Sequence, residues 1–373
     1  MPRPHILIAV GARPNFMKAA PLARALKATR RARVTLVHTG QHYSAEMSSS
    51  FFRDLRLPRP KLNLGVGSGS HGKQISEILL GFEAALLKLR PDAVVVVGDV
   101  NSTLACALAA CKMPADIRPL LAHVEAGLRS FDRSMPEEAN RVMTDHVSDL
   151  LFAPSRDAVE HLRKEGIPSE RIFLVGNVMI DSLRHAAAEA RASRILSRLR
   201  LSHRGYALVT LHRPSNVDES GTSEGLIRSL LWLQQRLPVL FPMHPRTRKE
   251  WGRRGFLKRL ASRRNARLVD PLGYLDFLKA MSSARVVLTD SGGIQEETTI
   301  LRVPCLTLRT TTERPITISN GTNRLAGVAP RRIIAACREI LRKPAPRKPA
   351  PPLWDGRAAE RISRILIQRL SRP

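Results

Sequence analysis

Ala93-Val94-Val95-Val96-Val97-Gly98-Asp99-Val100-Asn101-Ser102 reads as a buried strand that ends in a tight turn and hands over to a helix. Four consecutive valines suit a strand buried in a parallel sheet. The acid placed directly after them is not explained by solubility. It either lies at a site edge or caps the next helix, where Asp and Ser are favoured. The same pattern recurs outward in both directions. Strands are expected at His5–Val10, Val34–His38, Ala93–Gly98, Leu120–Val124, Leu150–Ala153, Ile172–Val175, Ala207–Leu211, Val239–Pro242, Arg267–Asp270, Val286–Thr289 and Cys305–Leu308. Segments of helical period lie between most of them, such as Ala19–Ala28, Ile75–Leu89 and Thr222–Arg236. This alternation predicts parallel α/β sheets.

Eleven strands are too many for one doubly wound sheet of ordinary size, so two Rossmann-like halves are expected. The Ala/Arg-rich stretch Asp181–Arg204 reads as the link. The division is therefore 1–178, 179–355 and a terminal helix in 356–373 that packs back on the first half. The Pro/Lys/Arg segment Lys343–Pro352 cannot be helical and should be extended.

The chain has 373 residues, 43% hydrophobic and 25% charged, which excludes a disordered or collagen-like chain. No apolar run reaches the ~18 residues of a membrane helix, so no insertion is expected. Met1-Pro2-Arg3-Pro4 runs straight into Ile6-Leu7-Ile8, unlike a signal peptide. The four cysteines form no Cys-x-x-Cys pair, so they read as reduced thiols of a cytoplasmic protein, with no metal site. Lys and Arg total 61 against 32 Asp and Glu, a net charge of +29 that would attract polyanions. The basic residues are dispersed and aromatics are only 4%, so no nucleic-acid partner is expected.

Ligands of parallel sheets bind beyond the carboxyl ends of the strands, so the residues there carry the chemistry. After the first strand, Gly11-Ala12-Arg13-Pro14-Asn15-Phe16-Met17-Lys18 sets Arg13 and Lys18 around a helix N-terminus, an anion site without a dinucleotide fingerprint. Glu125, Glu137 and Glu138 lie close around a turn. Crowded, buried carboxylates suit acid–base work because one is pushed above the usual ~4.3. One of Glu137 and Glu138 is expected to be no more than the acidic first turn after Pro136. His212 and His244 both end strands in the second half. Asp290-Ser291-Gly292-Gly293-Ile294 ends a strand and opens a helix, and consecutive amides from Ser291 to Ile294 would cradle a diphosphate.

Together these segments carry a resemblance. GARPNFMK, TGQHY, VGDVNST, HVEAGLRSFDRSMPEEANRVMTDH, GNVMID, TLHRPSNVD, DSGGIQEE and TTERP occur in this order between residues 11 and 315. In these strings the chain resembles the non-hydrolysing UDP-N-acetylglucosamine 2-epimerases. The resemblance implies a GT-B fold, two Rossmann-like domains facing an interdomain cleft, in a homodimer. It also implies interconversion of UDP-GlcNAc and UDP-ManNAc by elimination and re-addition of UDP through a glycal. Neither cofactor nor metal is implied, and the product would feed surface polysaccharide.

By the same match Asp99, Glu125 and Glu137 are the carboxylates of the proton transfers, and His212 is the catalytic histidine near the leaving diphosphate. Arg13 and the amides of Ser291, Gly292 and Gly293 would hold the diphosphate, Lys18 would support the first-half site, and Arg314 would lie near the sugar and phosphates. Glu297 would take the ribose hydroxyls and Phe277 the uracil; His244 counts among the substrate-binding residues and also lies in a region that contributes to a second site in some members. Gln41, His42 and Arg213 lie where some members bind a second, activating UDP-GlcNAc. This chain has Arg213-Pro214 where many bacterial members have two arginines, and Leu272 where a polar residue is common. Alternatives are a 2-epimerase of a UDP-2-acetamido sugar modified at carbon 3 or oxidised at carbon 6, and a GT-B glycosyltransferase.

Overall fold

The computed structural model describes residues 3–41, 57–343 and 348–371. The chain divides into two compact units, Met1–Arg184 with Pro352–Pro373, and His185–Pro351. The division falls inside the helix Val178–Arg191, later than residue 178, and the return to the first unit begins at Pro352, ahead of residue 356.

The first unit holds seven parallel strands: β1 (His5–Val10), β2 (Arg33–His38), β3 (Leu62–Asn63), β4 (Ala93–Val97), β5 (Leu120–Val124), β6 (Leu150–Ala153) and β7 (Ile172–Leu174). Their order is β3-β2-β1-β4-β5-β6-β7. β1, β4 and β6 are buried along their whole length, which is why they read as unbroken apolar runs. The second unit holds β8 (Ala207–Thr210), β9 (Val239–Pro242), β10 (Ala266–Val269), β11 (Val286–Thr289), β12 (Cys305–Thr307) and β13 (Asn323–Leu325), in the order β10-β9-β8-β11-β12-β13. All pairings are parallel. In each sheet the strand order reverses at one point: between β1 and β4 in the first, and between β8 and β11 in the second. The turns leaving those strands are the ligand-binding positions of such sheets.

Two edge strands, β3 and β13, are absent from the sequence reading. At two and three residues they are too short to show a period. The first helix runs from Arg13 to Thr29, well ahead of Ala19, with Pro14 in its first turn where no amide bond is lost.

The C-terminal helix Ala358–Leu370 belongs to the first unit. The buried Asp181 carboxylate accepts the Ala358 and Ala359 amides at 3.2 and 2.8 Å, and Trp354 Nε1 donates to the Pro154 carbonyl at 2.9 Å. Within the Lys343–Pro352 segment, 344–347 lie outside the described residues, and Lys348–Ala350 have no regular structure. Among the described residues no helix is long and apolar enough to cross a membrane.

Candidate functional site

In the first unit the turns after β1, β4 and β5 are tied into one cluster. Asn15 accepts the Gly11 and Ala12 amides, each at 3.1 Å, and donates to the Val97 carbonyl at 2.7 Å, joining the β1 turn to the end of β4. The close approach requires glycine at position 11, because a Cβ there would lie 1.9 Å from Ser102 Oγ.

Lys18 and Glu125 form a buried ion pair across this cluster. Gly98, at φ +71°, leaves room for it: a Cβ there would lie 2.6 Å from Lys18 Nζ and 3.4 Å from Glu125 Oε2. Glu125 itself has φ +77°. For a residue with a side chain such a backbone costs on the order of 1–3 kcal/mol, and it persists where the surroundings over-determine it.

Asp99 does not cap the helix Asn101–Cys111, whose N-cap is Val100 without a side-chain bond. Its carboxylate pairs instead with Arg141 at 2.5 Å. The helix Pro136–Val147 separates the two neighbouring glutamates. Glu138 is buried, accepts the Ser130 and Phe131 amides at 3.0 and 2.8 Å and pairs with Arg141 at 2.5 Å. Burial would raise it, but those amides and the guanidinium outweigh burial and hold it below the ordinary carboxylate value. Glu137 is half-buried, and its carboxylate has no hydrogen-bond or ion-pair partner among the described residues. Glu138 is thus the structural partner of the pair.

In the second unit His212 and Asp290 face each other from the ends of adjacent β8 and β11. His212 Nδ1 lies 2.8 Å from Asp290 Oδ1, with the imidazole 41% exposed and the carboxylate fully buried. Asp290 also accepts the His212 and Arg213 amides, both at 3.0 Å, and Asn216 Nδ2 at 3.2 Å. Burial would push the carboxyl up. The neighbouring His212 charge and these hydrogen bonds prevail and hold it below the usual range. The second imidazole, His244, lies beside the first at a ring separation of 5.7 Å and accepts the Arg246 amide as N-cap of the helix Pro245–Arg253.

The helix Gly292–Leu301 starts directly after Asp290 and Ser291. The Ser291 amide donates to Thr289 Oγ1 at 3.0 Å, so of the amides expected to cradle a diphosphate this one already has a partner. The Gly292, Gly293 and Ile294 amides open the helix and have no carbonyl one turn back. Around them lies a dense charge cluster. Glu313 meets Arg309 at 2.8 Å, Arg213 at 3.7 Å and Arg314 at 3.8 Å, and Arg314 meets Glu296 at 2.5 Å. Three guanidinium groups against two carboxylates leave one positive charge beside a helix N-terminus, a setting for phosphate. Glu297 is buried and accepts from Tyr274 Oη at 3.1 Å, and Phe277 sits half-buried on the same helix as Tyr274, Tyr274–Ser282.

Comparisons with known proteins show the family. The sequence model of the UDP-N-acetylglucosamine 2-epimerase family matches residues 24–367. A UDP-N-acetylglucosamine 2-epimerase of Methanocaldococcus jannaschii is 42% identical over 365 residues, 96% of this chain and 98% of that protein. The chain belongs to the UDP-N-acetylglucosamine 2-epimerase family. A crystal structure of the M. jannaschii enzyme in complex with UDP-GlcNAc and UDP superposes with a TM-score of 0.89, covering 98% of this chain and 99% of that one. A UDP-2,3-diacetamido-2,3-dideoxy-D-glucuronate 2-epimerase of Pseudomonas aeruginosa is 40% identical over 341 residues, 91% of this chain and 92% of that protein. The two parallel-sheet units are those of the GT-B type expected from the sequence.

Two candidate positions carry less information. The Arg13 side chain and the whole of His42 lie outside the described part of the structure. Two others have structural partners. The Gln41 carboxamide oxygen accepts both the amide and the hydroxyl of Ser102, at 3.0 and 2.6 Å. Arg213 Nε donates to the Asp290 carbonyl at 3.1 Å, on top of its pair with Glu313.

Sequence reasoning gave no role to Arg141, Asp145, Asp290 or Arg309. Helical spacing held the signal for the first two, since 138, 141 and 145 share one helix face. For Asp290 the signal was its place at a strand end beside the glycine turn. No local signal marks Arg309. Among the described residues no cluster of three His, Cys, Asp or Glu side chains could hold a metal.

Proposed function

We propose that the protein interconverts UDP-N-acetylglucosamine and UDP-N-acetylmannosamine as a non-hydrolysing 2-epimerase. The observation that carries the reading is a division of labour. One unit holds carboxylates against buried cations at its strand ends, and the other holds a histidine–aspartate pair next to a helix N-terminus.

In the reaction a carboxylate removes the proton on carbon 2 while the bond from carbon 1 to the UDP oxygen breaks. The C–H electron pair becomes the C1=C2 double bond, and UDP leaves with the C–O pair. A proton then returns to the opposite face of carbon 2 and UDP to carbon 1. The same groups leave and return, so no oxidant or cofactor is consumed. We assign the proton transfers to Asp99, Glu125 and Glu137, with Lys18 paired to Glu125 and Arg141 to Asp99. His212 meets the charge developing on UDP as an imidazolium, kept in orientation by Asp290. Arg13, Arg314 and the amides of Gly292, Gly293 and Ile294 bind the diphosphate, and Phe277 and Glu297 the uridine. A GT-B glycosyltransferase would leave the paired Asp99 and Glu125 without work to do.

A second reading, a UDP-2,3-diacetamido-2,3-dideoxy-glucuronate as substrate, rests on the nearly equal identity of the Pseudomonas relative. We also infer a homodimer, as the family resemblance implies. The four free cysteines favour the cytoplasm, with burial pushing the Cys305 and Cys337 thiols up to about 12.

Proton NMR with each UDP-sugar in heavy water tests the reading. Deuterium should enter carbon 2 of UDP-GlcNAc as the manno epimer appears. Exchange confined to the diacetamido-glucuronate selects the second reading. UDP release onto an acceptor with no exchange at carbon 2 refutes both.

A further inference from the structure

The helix Pro136–Val147 does more than supply Glu137. Glu138, Arg141 and Asp145 lie on one of its faces, all buried, and each reaches a different part of the site. Glu138 ties down Ser130 and Phe131, Arg141 pairs with Asp99, and Asn140 donates to the Asp99 carbonyl at 2.9 Å.

Asp145, fully buried, has the densest set of partners. Its Oδ1 lies 2.6 Å from His123 Nδ1. Its Oδ2 accepts the Gly127 amide at 3.0 Å and pairs with Arg129 at 2.7 Å. These partners bracket Glu125 on both sides. The other ring nitrogen, His123 Nε2, lies 2.8 Å from the carbonyl of Gly98, the residue before Asp99. One carboxylate thus reaches the turn of Glu125 directly and the turn of Asp99 through a single imidazole.

The protonation state follows from the partners. A carbonyl oxygen only accepts. Burial would raise Asp145, but the His123 and Arg129 charges and their hydrogen bonds outweigh it and keep it an anion. Both ring nitrogens of His123 therefore face acceptors, and only a ring with both protons donates to each of them. Arg129 in turn pairs with Glu165 at 2.7 Å. His123 and Arg129 balance Asp145 and Glu165, the neutrality a buried charge network requires.

We propose that His123 and Asp145 form a buried imidazolium–carboxylate pair that positions both catalytic turns, holding Glu125 in its left-handed backbone and Asp99 beside it. This rests on the epimerase reading above. Neither residue needs to touch substrate; both act through the turns they hold. A displacement of about 1 Å at a reacting group lowers rate by about a hundredfold, so the expected loss lies in kcat.

The test uses the full-length protein, with carbon-2 deuteration of UDP-GlcNAc as the activity and UDP calorimetry as an independent measure of the second unit. Asp145→Asn should keep UDP affinity and the KM for UDP-GlcNAc while kcat falls by about a hundredfold. His123→Asn, whose amide reaches Asp145 but not Gly98, should show the same split. The nitrogen-15 spectrum of the wild type should contain a doubly protonated ring that His123→Asn removes. Wild-type kcat in Asp145→Asn, or a singly protonated His123, overturns the proposal. If Asp145→Asn does not fold, His123→Gln, which reaches the Gly98 carbonyl but not Asp145, replaces it under the same criteria. Absence of deuteration in the wild type would refute the epimerase reading instead, and the nitrogen-15 spectrum would still decide the ion pair.

Discussion

Replacing Asp290 by asparagine preserves shape and removes one charge from the centre of the second unit. The carboxylate serves four donors: His212 Nδ1 at 2.8 Å, the His212 and Arg213 amides at 3.0 Å, and Asn216 Nδ2 at 3.2 Å. The last three converge on one oxygen. An asparagine has a single acceptor oxygen, which must face those three, so its amino group turns toward His212 Nδ1. The ring must then accept at Nδ1 and carry its only proton on Nε2, leaving a neutral imidazole where the proposed mechanism calls for a cation. Exchanging a charge-assisted bond for a neutral one loses about 1–2 kcal/mol. At 1.36 kcal/mol per tenfold that alone is about 5- to 30-fold. Removing a positive donor from a developing anion is worth about 10²–10³ in kcat where it has been measured. A fall in kcat between about tenfold and a thousandfold is expected, with the fold intact. Initial rates of UDP-ManNAc formation, beside circular dichroism and UDP calorimetry, measure it. The Asp290 carboxyl is held below its ordinary ~3.9, so its contribution to stability is full above about pH 4 and is lost as the pH falls through the lower folded value. The stability gap between wild type and Asp290→Asn should therefore close only in acid. A well-folded Asp290→Asn with the wild-type rate would show that His212 does not act as a cation.

Asp99→Asn and Glu125→Gln should each nearly abolish carbon-2 deuteration while UDP affinity by calorimetry changes little; normal exchange in both would remove the carboxylates from the mechanism. Gly98→Ala should displace Lys18 Nζ from Glu125 and strain a left-handed position, lowering stability in urea unfolding by about 1–2 kcal/mol and reducing turnover. A fully active, equally stable alanine variant would contradict the packing described around that ion pair. Asp181, raised by burial to about 6 against the amides of the C-terminal helix, makes a contribution that is full below ~3.8 and is lost as the pH rises through about 6. The Tm of the wild type should accordingly decline between about pH 4 and 6 relative to Asp181→Asn, and parallel profiles would count against it.

The alternation of strands and helices could be read directly from the chain, the short edge strands β3 and β13 excepted. Runs such as Val94–Val97 and Val286–Thr289 are buried on both faces, and burial of that kind writes itself into a few consecutive residues. The candidate turns were legible for the same reason, since a ligand site at strand ends needs only local order to be found. Residue chemistry alone could not separate Glu137 from Glu138, or capping from pairing at Asp99. Those outcomes depend on Arg141, which is 42 positions from Asp99 along the chain and meets it only once β4 and the helix Pro136–Val147 are packed. Helical spacing and a strand-end position mark where Asp145 and Asp290 stand but not what they do, because a buried charge is defined by the partner that neutralises it. Partners brought together across a parallel sheet are distant in the chain, so their meeting is a property of the packed fold and leaves no periodic trace in the residues between them.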